Sequence, residues 1–203
     1  MAWFRLPLFL SGCSFWKLMG CGRNGSFDKQ PDWRQWAVLR VWEDAHTQPI
    51  PAALQWWWRL FGCEQWHILL EPIAAHGLWD GKAVFGNPGK SSAHTGQVAV
   101  LTRASIRLGK LKRFWSHVDP VAARMHTAPG FVVSVGIGEV PWIKQATFSL
   151  WENTEAMKQF AYGMPEHAEV VRKTRREDWY SEELFARFKV LDTQGSLQGK
   201  TYF

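Results

Sequence analysis

The 203-residue chain is poor in the features that announce a function. It has three cysteines, Cys13, Cys21 and Cys63. An odd number in a chain with no evident secretory leader excludes a disulfide framework and points to a reducing compartment. Cys13 and Cys21 lack zinc-ligand spacing, so all three read as small, mostly buried residues. Long apolar runs are missing too. MAWFRLPLFLSG is too short for a signal-peptide core and far too short to span a bilayer. Neither a GxxxxGK[ST] loop nor HExxH nor GxSxG is present. Gly20-Cys21-Gly22-Arg23-Asn24-Gly25 matches GxGxxG in letters alone. No helix is expected behind it to hold a phosphate, so a turn is the better reading.

Tryptophan, in contrast, is abundant, with fourteen residues. Large rings fill cores, and they also wall wide apolar cavities. The net charge is +6. Its densest run, Arg172 to Arg176, is followed at once by Glu177 and Asp178. A solvated helix end accounts for that run, which argues against a nucleic-acid partner; attraction to an anionic membrane surface is the weaker alternative.

Two stretches repeat. Trp36–Asp44 (WAVLRVWED) aligns with Gln145–Asn153 (QATFSLWEN), each an alternating strand running into an acidic turn. Before each lies a strand punctuated by glycine: Phe15–Met19 ahead of Gly20 and Gly22, and Phe131–Val135 ahead of Gly136 and Gly138. After each come a helix and a closing strand, Trp66–Leu70 and Phe185–Leu191. The second copy also has an opening strand from Val98, a helix with the stripe Leu108, Leu111, Trp115, Val118, Ala122 and Met125, and a second helix capped by Thr154 with the stripe Met157, Phe160, Ala161 and Met164. The order β-α-β-β-α-β predicts an α+β fold of tandem ferredoxin-like units. The first unit, residues 1–86, lacks its opening strand, and Trp3–Leu10 reads as the tail of its first helix. Residues 87–97 are the expected linker, 98–191 the complete unit and 192–203 a tail.

Among the seven histidines, His167, His117 and His67 border apolar faces. Such residues are most often structural; the functional alternative is an axial haem ligand. Spacing alone does not choose between the three. Trp115, Trp142, Phe148, Phe160 and Tyr162 are candidate walls of an apolar pocket.

LTRASIRLGKLKRFW (101–115), GIGEVPWIKQATFSLW (136–151) and FAYGMPEHAEVVRKTRREDWYSEELFARFKVL (160–191) resemble the spheroidene monooxygenase family of carotenoid oxygenases. FWKLMGCGRNGSF (15–27) and WHILLEPIAAHGLWDGKAVFG (66–86) are similar to its N-terminal half, so the resemblance covers roughly residues 10–191. It places Tyr162, His167, Trp179 and Glu182–Phe188 on family positions. It implies a fold of the dimeric α+β barrel type, a haem cofactor, and insertion of oxygen from O₂ into a carotenoid to give a keto group. It further implies a reductant such as ferredoxin, a cytoplasmic protein touching the membrane from its inner face, and homo-oligomers. The competing expectations are a non-catalytic carrier of haem or an apolar ligand, and a cofactor-free oxygenase.

Overall fold

The computed structural model describes residues 12–23, 30–43, 50, 52–88, 94–163, 172–174 and 176–202. Among the described residues the strands and longer α-helices follow in the order β1 (Phe15–Gly22), β2 (Pro31–Val41), α1 (Ala52–Leu60), β3 (Trp66–Gly77), β4 (Val98–Ile106), α2 (Leu111–His126), β5 (Phe131–Val140), β6 (Lys144–Trp151), α3 (Thr154–Gly163) and β7 (Tyr180–Gly195). All seven strands form one antiparallel sheet in the order β2-β1-β5-β6-β4-β7-β3. Within the second half the order is β7-β4-β6-β5, which is the ferredoxin-like arrangement. No opening strand precedes β1 among the described residues.

The halves meet at two seams of unequal length. β3 pairs with β7 from Trp66↔Gly195 to Gly77↔Leu184. β1 and β5 pair only at Gly20↔Gly138 and Cys21↔Ile137. These glycines therefore lie inside strands, not in the turns that glycine punctuation suggested. The turn after β5 comes later, at Pro141–Ile143, where Trp142 takes φ 64°.

The sheet curls on itself. Trp66 of β3 and Phe148 of β6 have ring centroids 6.0 Å apart, although β7 and β4 lie between their strands. A flat sheet would hold them about 14 Å apart. Lys17 of β1 pairs with Asp80, just beyond β3, across a distance that would be about 24 Å in a flat sheet. Alternate residues fill the concave side, among them Met19, Ala99, Leu101, Val135, Leu150 and Phe188. The other face of the second half is closed by α2 and α3, where Met125, Met157 and Phe160 pack on Val98, Val100 and Trp151.

Several local readings need correction. Asn153, not Thr154, caps α3: its Oδ1 accepts the Ala156 N–H at 2.9 Å, while the Thr154 hydroxyl donates to the His94 carbonyl. Both residue types cap helices, and the choice turns on one position of register. Leu108 belongs to a short 3₁₀ turn before α2 and is 70% exposed. Cys21 is buried as expected, Cys13 is half-buried and Cys63 is exposed. Met164 and Trp3–Leu10 lie outside the described residues.

Candidate active site

The concave face is apolar along most of its length and is lined by rings. Phe85 meets Phe188 edge-on at 4.9 Å, Trp66 lies 5.4 Å from Tyr202, and Phe15 lies 5.6 Å from Trp79. Two equivalent turns hold its ends. After β3, Gly77-Leu78-Trp79-Asp80-Gly81-Lys82 closes with a Trp79↔Lys82 bridge; after β7, Gly195-Ser196-Leu197-Gln198-Gly199-Lys200 closes with a Leu197↔Lys200 bridge. Positive φ at Asp80 and Gly81, and at Gln198 and Gly199, makes both turns tight. Each is caught by a carboxylate beside the other half's closing strand. Glu182 accepts the Asp80 and Gly81 N–H groups at 3.0 and 2.8 Å, and Glu64 accepts those of Gln198 and Gly199 at 2.8 and 2.6 Å. This second repeat, Gly-x-x-x-Gly-Lys, is legible in the sequence from its glycine and lysine spacing.

The two ends differ in charge. At the Trp79 end, the guanidinium of Arg103, 1% exposed, pairs with Glu182, Glu139 and Asp80 and lies 5.4 Å from the Trp79 ring. Lys17 bridges Asp80 and Glu139, Lys144 reaches Asp80 at 2.9 Å, and the Trp79 indole donates to Glu139 at 2.9 Å. Three cations thus face three carboxylates, and the network is neutral. Hydrogen bonds from Lys17, and then from Lys144, hold the Asp80 carboxyl down at about 2. Burial works against the charged form of Glu182, but the Gly81 and Asp80 N–H groups and Arg103 outweigh it and lower its pKa. Burial would lower the Lys17 pKa, yet its bonds to Asp80 and Glu139 raise it. Such a cluster fixes the turn over one end of the apolar core and keeps charges there paired.

The predicted site residues do not share one wall. Phe148 faces the concave side. Phe160 lies on the opposite, helix-covered face against Trp151, at 5.1 Å. Trp115 is buried on α2 and donates its indole N–H to the Trp142 carbonyl at 3.2 Å; the Trp142 side chain is 53% exposed. Tyr162 is 77% exposed at the end of α3. His117 lies on α2, with Nδ1 at 2.9 Å from the Arg113 carbonyl and its ring 5.4 Å from Trp179. His67 lies on β3, with Nε2 at 3.1 Å from Gln65 Oε1, facing Trp58 of α1. Burial, then the nearby Arg40, lowers its pKa, which favours neutral imidazole. His167 lies outside the described residues.

A haem needs an imidazole directed into a large apolar cleft. His67 and His117 each hold one ring nitrogen in a local hydrogen bond, as ligating histidines commonly do with the nitrogen turned away from the iron, and each sits against an indole on the outer face. Among the described residues, no three His, Cys, Asp or Glu side chains converge as a metal site. No helix among them is long and apolar enough to cross a membrane.

A family model described as a domain of unknown function (DUF3291) matches residues 95–190, the second half. The spheroidene monooxygenase of Cereibacter sphaeroides is 35% identical over 196 residues; the match covers 95% of this chain, which spans 60% of that relative's length. The spheroidene monooxygenase of Rhodobacter capsulatus is 35% identical over 190 residues, covering 92% of this chain and 79% of the relative. Among solved structures, SnoaB, a cofactor-independent oxygenase from Streptomyces nogalater, superposes with a TM-score of 0.40 at 18% identity, over 48% of this chain and 95% of that one. With identity to these relatives running through both halves of its sheet, the chain belongs to the spheroidene monooxygenase family.

Proposed function

We propose that this protein is a carotenoid monooxygenase that converts a methylene carbon near one end of a long polyene to a ketone. The observation that carries this reading is the 35% identity to two spheroidene monooxygenases over more than nine-tenths of the chain. The ring-lined concave face suits the substrate, since a rigid apolar polyene is held by area and shape, with few polar contacts. Each oxygenation takes O₂, two electrons from a ferredoxin-type reductant and two protons from solvent, leaving a hydroxyl group and water. A second round on the same carbon gives a hydrate that loses water to the ketone. Side chains do not activate O₂ for such a step, so we assign that chemistry to a haem with His167 as its ligand.

Expression in a carotenoid-producing host, followed by pigment analysis, tests the activity: a new ketone is expected, and unchanged pigment would sink the reading. Protein from haem-fed cells should show a Soret band that disappears in His167→Ala. Ketone formation without haem would instead assign the chemistry to a cofactor-free route.

The substrate dissolves in lipid, and α1 is built to meet lipid. Leu54 faces inward, while Trp56, Trp57, Leu60 and the following Phe61 face outward beside Arg59. Aromatic rings and a cation suit the headgroup layer. Co-sedimentation with anionic vesicles is expected, and the double variant Trp56→Ser, Phe61→Ser should lose most of it.

A further inference from the structure

The helix-covered face of the second half has an opening that the catalytic reading does not use. β4 is a central strand, and every one of its residues is buried except Thr102. α2 and α3 seal this face over Val98, Val100 and Trp151, yet Thr102, two positions beyond Val100, is exposed.

The ladders place what surrounds it. Thr102 pairs with Thr147 of β6 on one side and with Phe185 of β7 on the other, and Phe185 pairs in turn with His76 of β3. Directly paired residues share a face of the sheet, so these four side chains form one transverse row. The row beside it runs through Ala74, Arg187, Val100 and Ser149. Arg187 is therefore a diagonal neighbour of both Thr102 and His76, at a spacing of about 7–8 Å. His76 and Phe185 are stacked, with ring centroids 5.0 Å apart and planes 24° from parallel.

The arginine is the unusual member of this group. Arg103, on the opposite face of β4, meets three carboxylates, and Lys189, two residues beyond Arg187, meets Glu71 at 3.5 Å. Arg187 has no ion pair or hydrogen bond among the described residues. Its Nε is shut off from water, while the residue as a whole is half-buried, so the guanidinium opens through its Nη groups. The next carboxylate along this face of β7, Glu183, is four residues away, about 13 Å in an extended strand. A guanidinium keeps its charge, and holding it half out of water without an acceptor costs stability that a bound anion restores.

We propose that the opening over Thr102 is a binding site for a flat, unsaturated carboxylic acid. The Nη pair of Arg187 takes the carboxylate in a fork, the Thr102 hydroxyl donates a third hydrogen bond to it, and the body of the ligand lies against the Phe185 and His76 rings. An organic acid fits better than a bare inorganic anion, because the rings beside the guanidinium offer apolar area that an inorganic anion leaves unused. The site lies on the other side of the sheet from the concave core and needs no haem.

The test uses the whole protein with 2-naphthoate as the probe, read by calorimetric titration and by the imidazole resonances of His76 in NMR, identified by their loss in His76→Gln. Naphthoate should bind saturably and shift those resonances. 2-Naphthamide, with the same rings and no charge, should bind the unaltered protein at least about tenfold more weakly. Arg187→Gln should lower the affinity about tenfold, Arg187→Lys should restore little of it because an ammonium is no fork, and Thr102→Val should lower it about threefold. No shift of His76 at any soluble naphthoate concentration would overturn the proposal. So would equal binding of acid and amide, or binding unchanged in Arg187→Gln. Inorganic phosphate acting at the same concentrations as naphthoate would overturn it too, since the rings would then play no part.

Discussion

The two halves of the molecule share a plan and differ in how well its outer face is covered. In the second half, Val98, Val100 and Trp151 are under 10% exposed beneath α2 and α3. In the first, Trp16, Trp36 and Val38 on the outer side of β1 and β2 are 43%, 47% and 38% exposed. On the concave side the difference is smaller: β1, β4, β5, β6 and β7 contribute buried residues to one core, and β2 and β3 of the first half contribute half-buried ones. The duplication therefore keeps the inside of the sheet apolar in both halves. The outside of the first half is left with large rings that suit contact with something other than water.

Paired substitutions test this contrast. Leu150→Ala opens a cavity under a fully buried side chain and should cost about 2–5 kcal/mol in denaturant unfolding. Leu54→Ala, in the small cluster under α1, should cost less than about 2 kcal/mol, because that site can collapse. Equal costs would mean that the halves are equally well packed.

The glycines at the short seam give a finer comparison. A Cβ on Gly138 would come within 3.0 Å of the Lys144 carbonyl oxygen and 2.9 Å of the Gln145 amide, whereas one on Gly20, its partner across the seam, meets nothing within 4 Å. Gly138→Ala should cost about 1–3 kcal/mol. Gly20→Ala should stay within about 0.5 kcal/mol of the parent. Thermal unfolding of the two variants reads the difference.

The smallest effect is expected at the charged turn. The Asp80 carboxyl titrates at about 2 when folded, below its ordinary 3.8. A depressed carboxyl pKa stabilises above the unfolded value and loses that contribution as pH falls through the folded one. Protection from exchange in residues 78–82, relative to the intrinsic rate, should therefore fall between about pH 4 and pH 2. The Glu64 carboxyl is lowered too, by its bonds to Gly199, Ser196 and Gln198, so residues 196–200 should also loosen in acid. Unchanged protection of residues 78–82 down to about pH 2 would sink the role given to Asp80.

The sequence made the repeat, the strand alternation and the α2 stripe legible because each depends on local periodicity. Trp115, Val118, Ala122 and Met125 are buried on one side of α2 for that reason. Glycine misled because it usually ends strands. At Gly138 it is needed mid-strand, where Lys144 and Gln145 come close. The charged end could not be read, since Lys17, Asp80, Arg103, Glu139, Lys144 and Glu182 meet only once the sheet has curled. The pocket walls failed to assemble for a related reason: helical and strand spacing places Phe160 and Phe148 on apolar faces without saying that these are opposite sides of one sheet.

The reciprocal clasp sets a condition on how the protein can be handled. Glu64 and Trp66 in the first half hold the segment after β7, through Ser196, Gln198, Gly199 and Tyr202. Removing residues 196–202 would strip the start of β3 of its cover. Damage in that segment would then register as instability in the other copy of the repeat.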